Sequence, residues 1–245
     1  MGGLWGVERE NLKILRKFAE TKMENKLNFS PKIHILNQHS SILNHFLAEM
    51  RDEHTQKDPM RFRKNLERTA EITAYEISKH LSYSEINVKT PLGESEVSLI
   101  SEDIVLATIL RAGLPYHQGF LNYFDKAPNA YISAFRQTHK DGSFTVKVEY
   151  VSSPDLNNKV LILTDPMLAT GQSMVLAYQA LLRFGMPSKL HIASVLSSEA
   201  GIEYVAKNLP QADIWTGAVD AEMTSKYYIV PGLGDAGDLA LGEKL

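Results

Sequence analysis

The sequence predicts an α/β fold, a largely parallel twisted sheet flanked by helices. Two observations carry this. From Ile104 onward, short apolar runs rich in β-branched residues alternate with stretches of helical character. Those runs are near-continuously apolar, as strands of a parallel sheet covered on both faces must be. The strands read as Ile104–Leu110 (IVLATIL), Ala130–Phe135, Val160–Leu163 (VLIL), Leu190–Leu196 and Ile214–Val219. The helices between them read as 114–124, 173–184 and 199–208.

Ahead of the sheet, the clearest helix spans 59–82. Asp58 can cap it and Pro59 suits its first position. Phe62, Leu66, Ala70, Ala74, Ile77 and Leu81 follow at helical spacing, the mark of a packing helix. Residues 1–30 form a polar-rich lead-in, in which Leu12, Leu15 and Phe18 share one side of a short amphipathic stretch. We expect an extension over 1–30 and a single domain over 31–245.

Composition narrows the function classes. The 245 residues suffice for one domain with a sizeable core. A net charge of −3, from 26 basic and 29 acidic side chains, gives no field to attract nucleic acid or an anionic membrane, so neither is an expected partner. The absence of cysteine excludes disulfides, thiolate chemistry and Cys-ligated zinc. No apolar run approaches the ~18 residues that span a bilayer, and the N-terminus lacks a signal-peptide core, which points to the cytoplasm. The eight histidines form no H-E-x-x-H, and neither G-x-S-x-G nor a Walker A motif occurs.

In such folds ligands bind beyond the carboxyl ends of the strands. The segment 160–173, VLILTDPMLATGQS, places Asp165 directly after a buried strand. A small-residue loop, Ala169-Thr170-Gly171-Gln172-Ser173, then runs into a helix. Free N–H groups and the positive end of the helix dipole suit a monophosphate there. Gly171 permits close approach, the Thr170 and Ser173 hydroxyls add donors, and Asp165 can accept from ribose hydroxyls. An ordinary capped βα turn is the competing reading. Arg111, in ILRAGL at the end of the Ile104 strand, can bind oxyanions with its planar fork, or can simply be a surface arginine. The segment 228–238, YIVPGLGDAGD, contains a literal G-x-G-x-x-G, but too few residues follow for a dinucleotide-binding βαβ unit. A glycine-rich C-terminal turn is the plain alternative. Phe135-Arg136 precedes a polar stretch that reads either as a mobile loop or as a hairpin, with a turn at Lys140-Asp141-Gly142.

These motifs, in this order, resemble the uracil phosphoribosyltransferases, within the type I phosphoribosyltransferase superfamily. The likeness runs from about Asn37 to Leu245 and takes in Ala48–Asp52 (AEMRD), Met60–Leu66 and Thr90–Gly93 (TPLG). One departure stands in the loop, where Gln172 replaces the usual glycine; the loop keeps its shape if that position does not need φ > 0. The resemblance implies a type I phosphoribosyltransferase-like fold with an N-terminal helical part and a small hood. It also implies transfer of the phosphoribosyl group of phosphoribosyl pyrophosphate (PRPP) to N1 of uracil, giving UMP and pyrophosphate. Asp165, Arg111 and Asp235 would be the catalytic residues. Arg111, Arg136, Asp165, Pro166, Met167, Leu168, Ala169, Thr170, Gly171, Gln172, Ser173 and Asp235 would bind PRPP. Ile229, Gly234, Asp235 and Ala236 would meet uracil. The cofactor would be Mg²⁺, held mainly through PRPP rather than by a protein cage. Homodimers or homotetramers, and GTP as an allosteric activator in some members, belong to the same implication. A non-proline cis peptide within Leu110–Ala112 is a further expectation. The alternative is a non-catalytic sensor of PRPP or uracil with the same fold.

Overall fold

The computed structural model describes residues 32–138 and 144–243. The extension expected over 1–30 and the turn at Lys140-Asp141-Gly142 lie outside the described residues. After β1 (Ile33–Ile35), the Ser41 hydroxyl accepts from the Leu43 N–H and starts α1 (Ile42–Arg51), which buries Leu43, Leu47 and Met50. Asp58 caps α2 (Pro59–Ser78) as expected, accepting from Met60 and Arg61 N–H at 3.0 and 3.1 Å. The helix ends before 82. The N–H groups of Lys79, His80 and Leu81 bond three residues back, tightening the last turn while Leu81 stays buried.

A hairpin that the sequence reading did not anticipate follows, β2 (Tyr83–Thr90) and β3 (Gly93–Ile100), with nearly every side chain exposed. The main sheet then comprises β4 (Ile104–Leu110), β5 (Asn129–Thr138), β6 (Phe144–Ser152), β7 (Val160–Thr164), the short β8 (Met167–Leu168), β9 (Lys189–Ser198), β10 (Ala212–Asp220) and β1. Its order is β1-β10-β9-β7-β4-β5-β6, with β8 paired to β9. Every pairing is parallel except β5 with β6, so the polar stretch after Arg136 is flanked by a hairpin.

The crossovers are α3 (Gly113–Leu121), α4 (Gln172–Leu181) and α5 (Glu199–Asn208). The stretch 173–184 proves to be two pieces, because a single 3-10 turn, Leu182–Phe184, follows α4. After β10 come β11 (Glu222–Met223), β12 (Ile229–Val230) and α6 (Ala236–Leu241). Arg63 of α2 donates to the Ala240 carbonyl at 2.8 Å, tying this small hood to the N-terminal helices. Among the described residues, no helix is long and apolar enough to cross a membrane.

Alternation within each strand divides the core. On β4, Ile104 and Leu106 face the layer of α1, α2 and α3, while Val105, Ala107 and Ile109 face that of α4 and α5. Val160 and Ile162 of β7 face the first layer, and Leu161 and Leu163 the second. Burial on both faces is why these strands read as unbroken apolar runs.

Near the amino ends of the strands, His34 of β1 stacks on Trp215 of β10 with ring centroids 3.7 Å apart, and His80 meets both rings edge-on. The Trp215 indole N–H points at Nδ1 of the buried His191, 3.2 Å away, so this nitrogen is the acceptor. Burial pushes the His191 pKa down to about 4, with Lys189, His80 and His34 adding repulsion against the partial relief from Asp213. The unfolded chain therefore binds this proton more readily than the fold does. Stability should be full above about pH 6.5 and fall toward pH 4, by on the order of 3 kcal/mol for this group. His191→Gln keeps an acceptor for the indole and removes the proton site. Thermal unfolding between pH 7 and 4 should then show a shallower decline in Tm than the parent; parallel profiles would contradict this account.

Candidate active site

Three loops meet at the carboxyl edge of the sheet. β4 and β7 lie side by side, with Thr108 opposite Thr164. The Thr164 hydroxyl donates to the Ala107 carbonyl at 3.0 Å and the Thr108 hydroxyl to the Thr164 carbonyl at 3.3 Å, which binds the two tips together. Arg111 follows the first tip and Asp165 the second. The peptide bond between Leu110 and Arg111 is cis, as expected for that loop.

The loop after β7 is held by its neighbour β9. Asp165 N–H donates to the Ala193 carbonyl at 3.1 Å, and the Pro166 carbonyl accepts from both Val195 and Leu196 N–H at 3.0 Å. Met167 and Leu168 then form β8, which extends the reach of β9 beyond the strand read from sequence. At Ala169 the chain turns toward α4. The Ser198 hydroxyl donates to the Ala169 carbonyl at 2.5 Å and accepts from Gly201 N–H at 2.8 Å, so the cap of α5 also secures the loop. Gly201 allows that closeness, because a Cβ there would overlap the Leu168 and Ala169 carbonyls. Gly171 carries φ +75° at the N-cap of α4, and a Cβ would press on the Gly201 carbonyl at 2.8 Å. Gln172 is the first residue of that helix and has no positive φ, so the replacement of glycine leaves the loop's shape intact. The Thr170 hydroxyl accepts a long hydrogen bond, 3.5 Å, from Gln172 N–H at the start of α4. Thr170 and Ser173, both half-buried, flank the helix end.

The third loop belongs to the hood. Val230–Pro231 is cis, and Gly232 and Gly234 take φ of +58° and +91°. Ile229 and Ala236 are buried, with exposed Gly234 between them. The Asp235 carboxylate accepts from Gly237 and Asp238 N–H at 2.8 and 3.1 Å, capping α6. A Cβ on Gly237 would come 3.6 Å from the Ala112 Cβ, so the Arg111 loop and the glycine-rich segment lie side by side. Arg111, two-fifths exposed, donates to the Gly242 carbonyl at 3.1 Å and lies 3.6 Å from Asp238. Its Nε is buried and has no hydrogen-bond partner among the described residues.

Arg136 sits on β5, three residues beyond Ser133, which is paired with Leu110 at the end of β4. Its backbone is thus on the same edge of the sheet. Sequence reading did not single out Ser198, Arg51 or Asp220. Ser198 had a signal, a serine immediately before a helix at 199–208. Asp220 had none, since its partner Arg51 is 169 residues away in the chain.

A parallel sheet bearing a strand–acid–small-residue loop–helix unit at its carboxyl edge, beside an arginine loop, is the architecture of the type I phosphoribosyltransferases. The model of one family within that class, uracil phosphoribosyltransferase, matches residues 37–242, and the chain belongs to it. A uracil phosphoribosyltransferase from Porphyromonas gingivalis is 53% identical over 214 residues, covering 87% of this chain and 99% of the relative. One from Pyrococcus furiosus is 34% identical over 200 residues, covering 80% and 84%. A solved structure of an Aquifex aeolicus protein superposes with a TM-score of 0.77 at 27% identity, covering 86% of this chain and 98% of that one.

Ser198→Ala would strand the Ala169 carbonyl and the Gly201 N–H in a buried place. Urea unfolding should register a loss of about 1–3 kcal/mol. A variant as stable as the parent would show that the hydroxyl does not secure the loop.

Proposed function

We propose that the chain is a cytoplasmic enzyme, with 31–245 as one catalytic domain, that transfers the phosphoribosyl group of PRPP to N1 of uracil. The observation that carries this reading is the approach of Arg111 to Asp238, 3.6 Å apart, which sets the arginine loop against the glycine-rich segment. In a phosphoribosyl transfer those are the places for the leaving group and the incoming base. Backbone N–H groups of Ala169–Ser173 and the hydroxyls of Thr170 and Ser173 receive the 5′-phosphate at the start of α4. Pro166, Met167 and Leu168 hold the loop to β9. Asp165 accepts from the ribose hydroxyls. Arg111 and Arg136 meet pyrophosphate, and Asp235 faces PRPP. Backbone groups of Ile229, Gly234 and Ala236 read the base.

The reaction forms the N1–C1′ bond, breaks the bond from C1′ to pyrophosphate oxygen, and releases the N1 proton. It passes through an oxocarbenium-like state and needs no covalent nucleophile. Positioning and stabilisation of the departing charge do most of the catalysis. Mg²⁺, carried by the pyrophosphate of PRPP, supplies neutralising charge when bound. The Asp165 and Asp235 carboxylates are hard oxygen donors suited to such an ion, directly or through water.

Assembly into a homodimer or homotetramer is supported by the β2–β3 hairpin. Tyr83, Ile86, Val88, Leu92, Leu99 and Ile100 are exposed on it, a concentration of apolar side chains that suits a subunit interface. GTP activation rests on the resemblance alone. Sedimentation and initial rates with and without GTP read both; a monomer insensitive to GTP would remove both from the proposal.

Labelled uracil, PRPP and Mg²⁺ should yield UMP. Fixed backbone donors and acceptors match uracil's N3–H between two carbonyls and mismatch cytosine, a discrimination of ~10⁴ in kcat/KM. Binding of PRPP and uracil without product would leave a sensor instead, and comparable turnover of cytosine would overturn the choice of base.

Asp165→Asn should keep the fold and cost about 2–4 kcal/mol of transition-state stabilisation. Arg111→Ala should raise the KM for PRPP far more than that for uracil, with only partial recovery in Arg111→Lys. Steady-state kinetics showing an unchanged PRPP KM would remove Arg111 from the pyrophosphate site.

A further inference from the structure

From the geometry at Gly232 we infer that Arg51 and Asp220 are positioning residues for uracil, a pair that holds the base-reading turn and so sets affinity and selectivity for the base. This rests on the reading of Ile229–Ala236 given above. The ladder of the hood ends at Val230, opposite Glu222, and helix bonding begins only at Ala236. Between them Gly232 is buried, and both of its backbone groups are satisfied by the ion pair. Its N–H donates to Asp220 Oδ2 at 3.0 Å, and its carbonyl accepts from Arg51 Nη1 at 3.0 Å. The pair itself is bidentate, with Nη1 to Oδ2 at 2.7 Å and Nη2 to Oδ1 at 2.8 Å. Four hydrogen bonds thus close a ring around one residue.

Each half of the pair stands on a fixed support. Asp220, only 8% exposed, is the last residue of β10, in register with Ser198 of β9. Arg51 is the last residue of α1, two residues after Glu49. Glu49 accepts from Arg61 at 2.7 and 2.8 Å and from Asn65 at 2.6 Å, fastening the end of α1 to α2. Arg51 also lines an open cavity of about 480 Å³ together with Pro231, Gly234 and Asp235. Gly234, whose backbone we place against the base, lies two residues beyond the clasped unit. A shift of Gly232 would therefore be passed to the groups that pair with uracil, whereas the Asp165 loop is secured separately by β9 and Ser198.

Arg51→Lys keeps the charge and loses the fork, so it cannot serve both Asp220 oxygens and the Gly232 carbonyl. At saturating PRPP it should raise the uracil KM about tenfold and narrow the uracil-over-cytosine ratio, with the PRPP KM within about twofold and kcat largely kept. Asp220→Asn should do the same. The double variant should be no worse than the poorer single, since both remove one ring. A merely structural pair would lower Tm and active fraction and leave the uracil KM of the folded enzyme unchanged. Uracil turnover by the parent is measured first, and its absence fails the underlying reading. With that turnover in hand, folded Arg51→Lys or Asp220→Asn with an unchanged uracil KM, or with both KM values raised equally, fails this inference alone. Should one variant not fold, the other decides.

Discussion

The loop at the carboxyl end of β7 depends on β9. That strand is buried along nearly its whole length and pairs with β7 and β10 on its two sides. Beyond the end of β7, its free hydrogen-bonding groups continue to be used, first by Pro166 and then by β8. An extended strand that outlasts its neighbour in this way turns a connecting loop into part of the ladder. The loop's backbone is thereby fixed to ladder tolerance up to Leu168, and Ser198, the last residue of the same strand, reaches across to fix Ala169. Preorganisation of the loop that follows β7 is thus a property of strand length.

The legible parts of this sequence were those where burial and chain locality coincide. VLIL and IVLATIL could be read as strands because both faces are covered, and Asp58-Pro59 could be read as a helix start because a cap is a local event. The site loops were legible through their order and wording, and the structure brings the arginine loop and the glycine-rich segment side by side. The hairpin over 83–100 was missed because its apolar alternation, Ile86 and Val88 on one strand and Val97 and Leu99 on the other, is short and interrupted by charged residues. α1 is short, and its buried residues are spread thinly through a polar stretch. The return strand β6 lay in a run left open between loop and hairpin, and its antiparallel pairing with β5 answers to the hairpin.

Arg51 and Asp220 mark a different kind of limit. Neither residue is unusual in its local sequence, and their meeting is a product of topology: the last turn of α1 and the end of β10 are brought to one place by the packing of α1 against α2 and of α2 against the sheet. Arg111 shows the same dependence. Its tip position follows from β4, but its present partners, the Gly242 carbonyl and Asp238, come from the far end of the chain. The last turn of α1 and the segment after β12 thus line one cavity, in which Arg51, Gly234 and Asp238 take part.

The ring around Gly232 also divides the molecule into parts that open separately. The amides of β4, β7 and β9 sit in a continuous ladder and exchange with solvent only through large-scale opening. The Gly232 amide is equally buried, yet its acceptor is a carboxylate on a side chain, not a strand. Its exchange with deuterium should follow the parting of one ion pair, without opening of the sheet. The turn at Gly232 is thus secured by an ion pair, whose strength answers to ionic conditions, while the loop after β7 is secured by the ladder of the core.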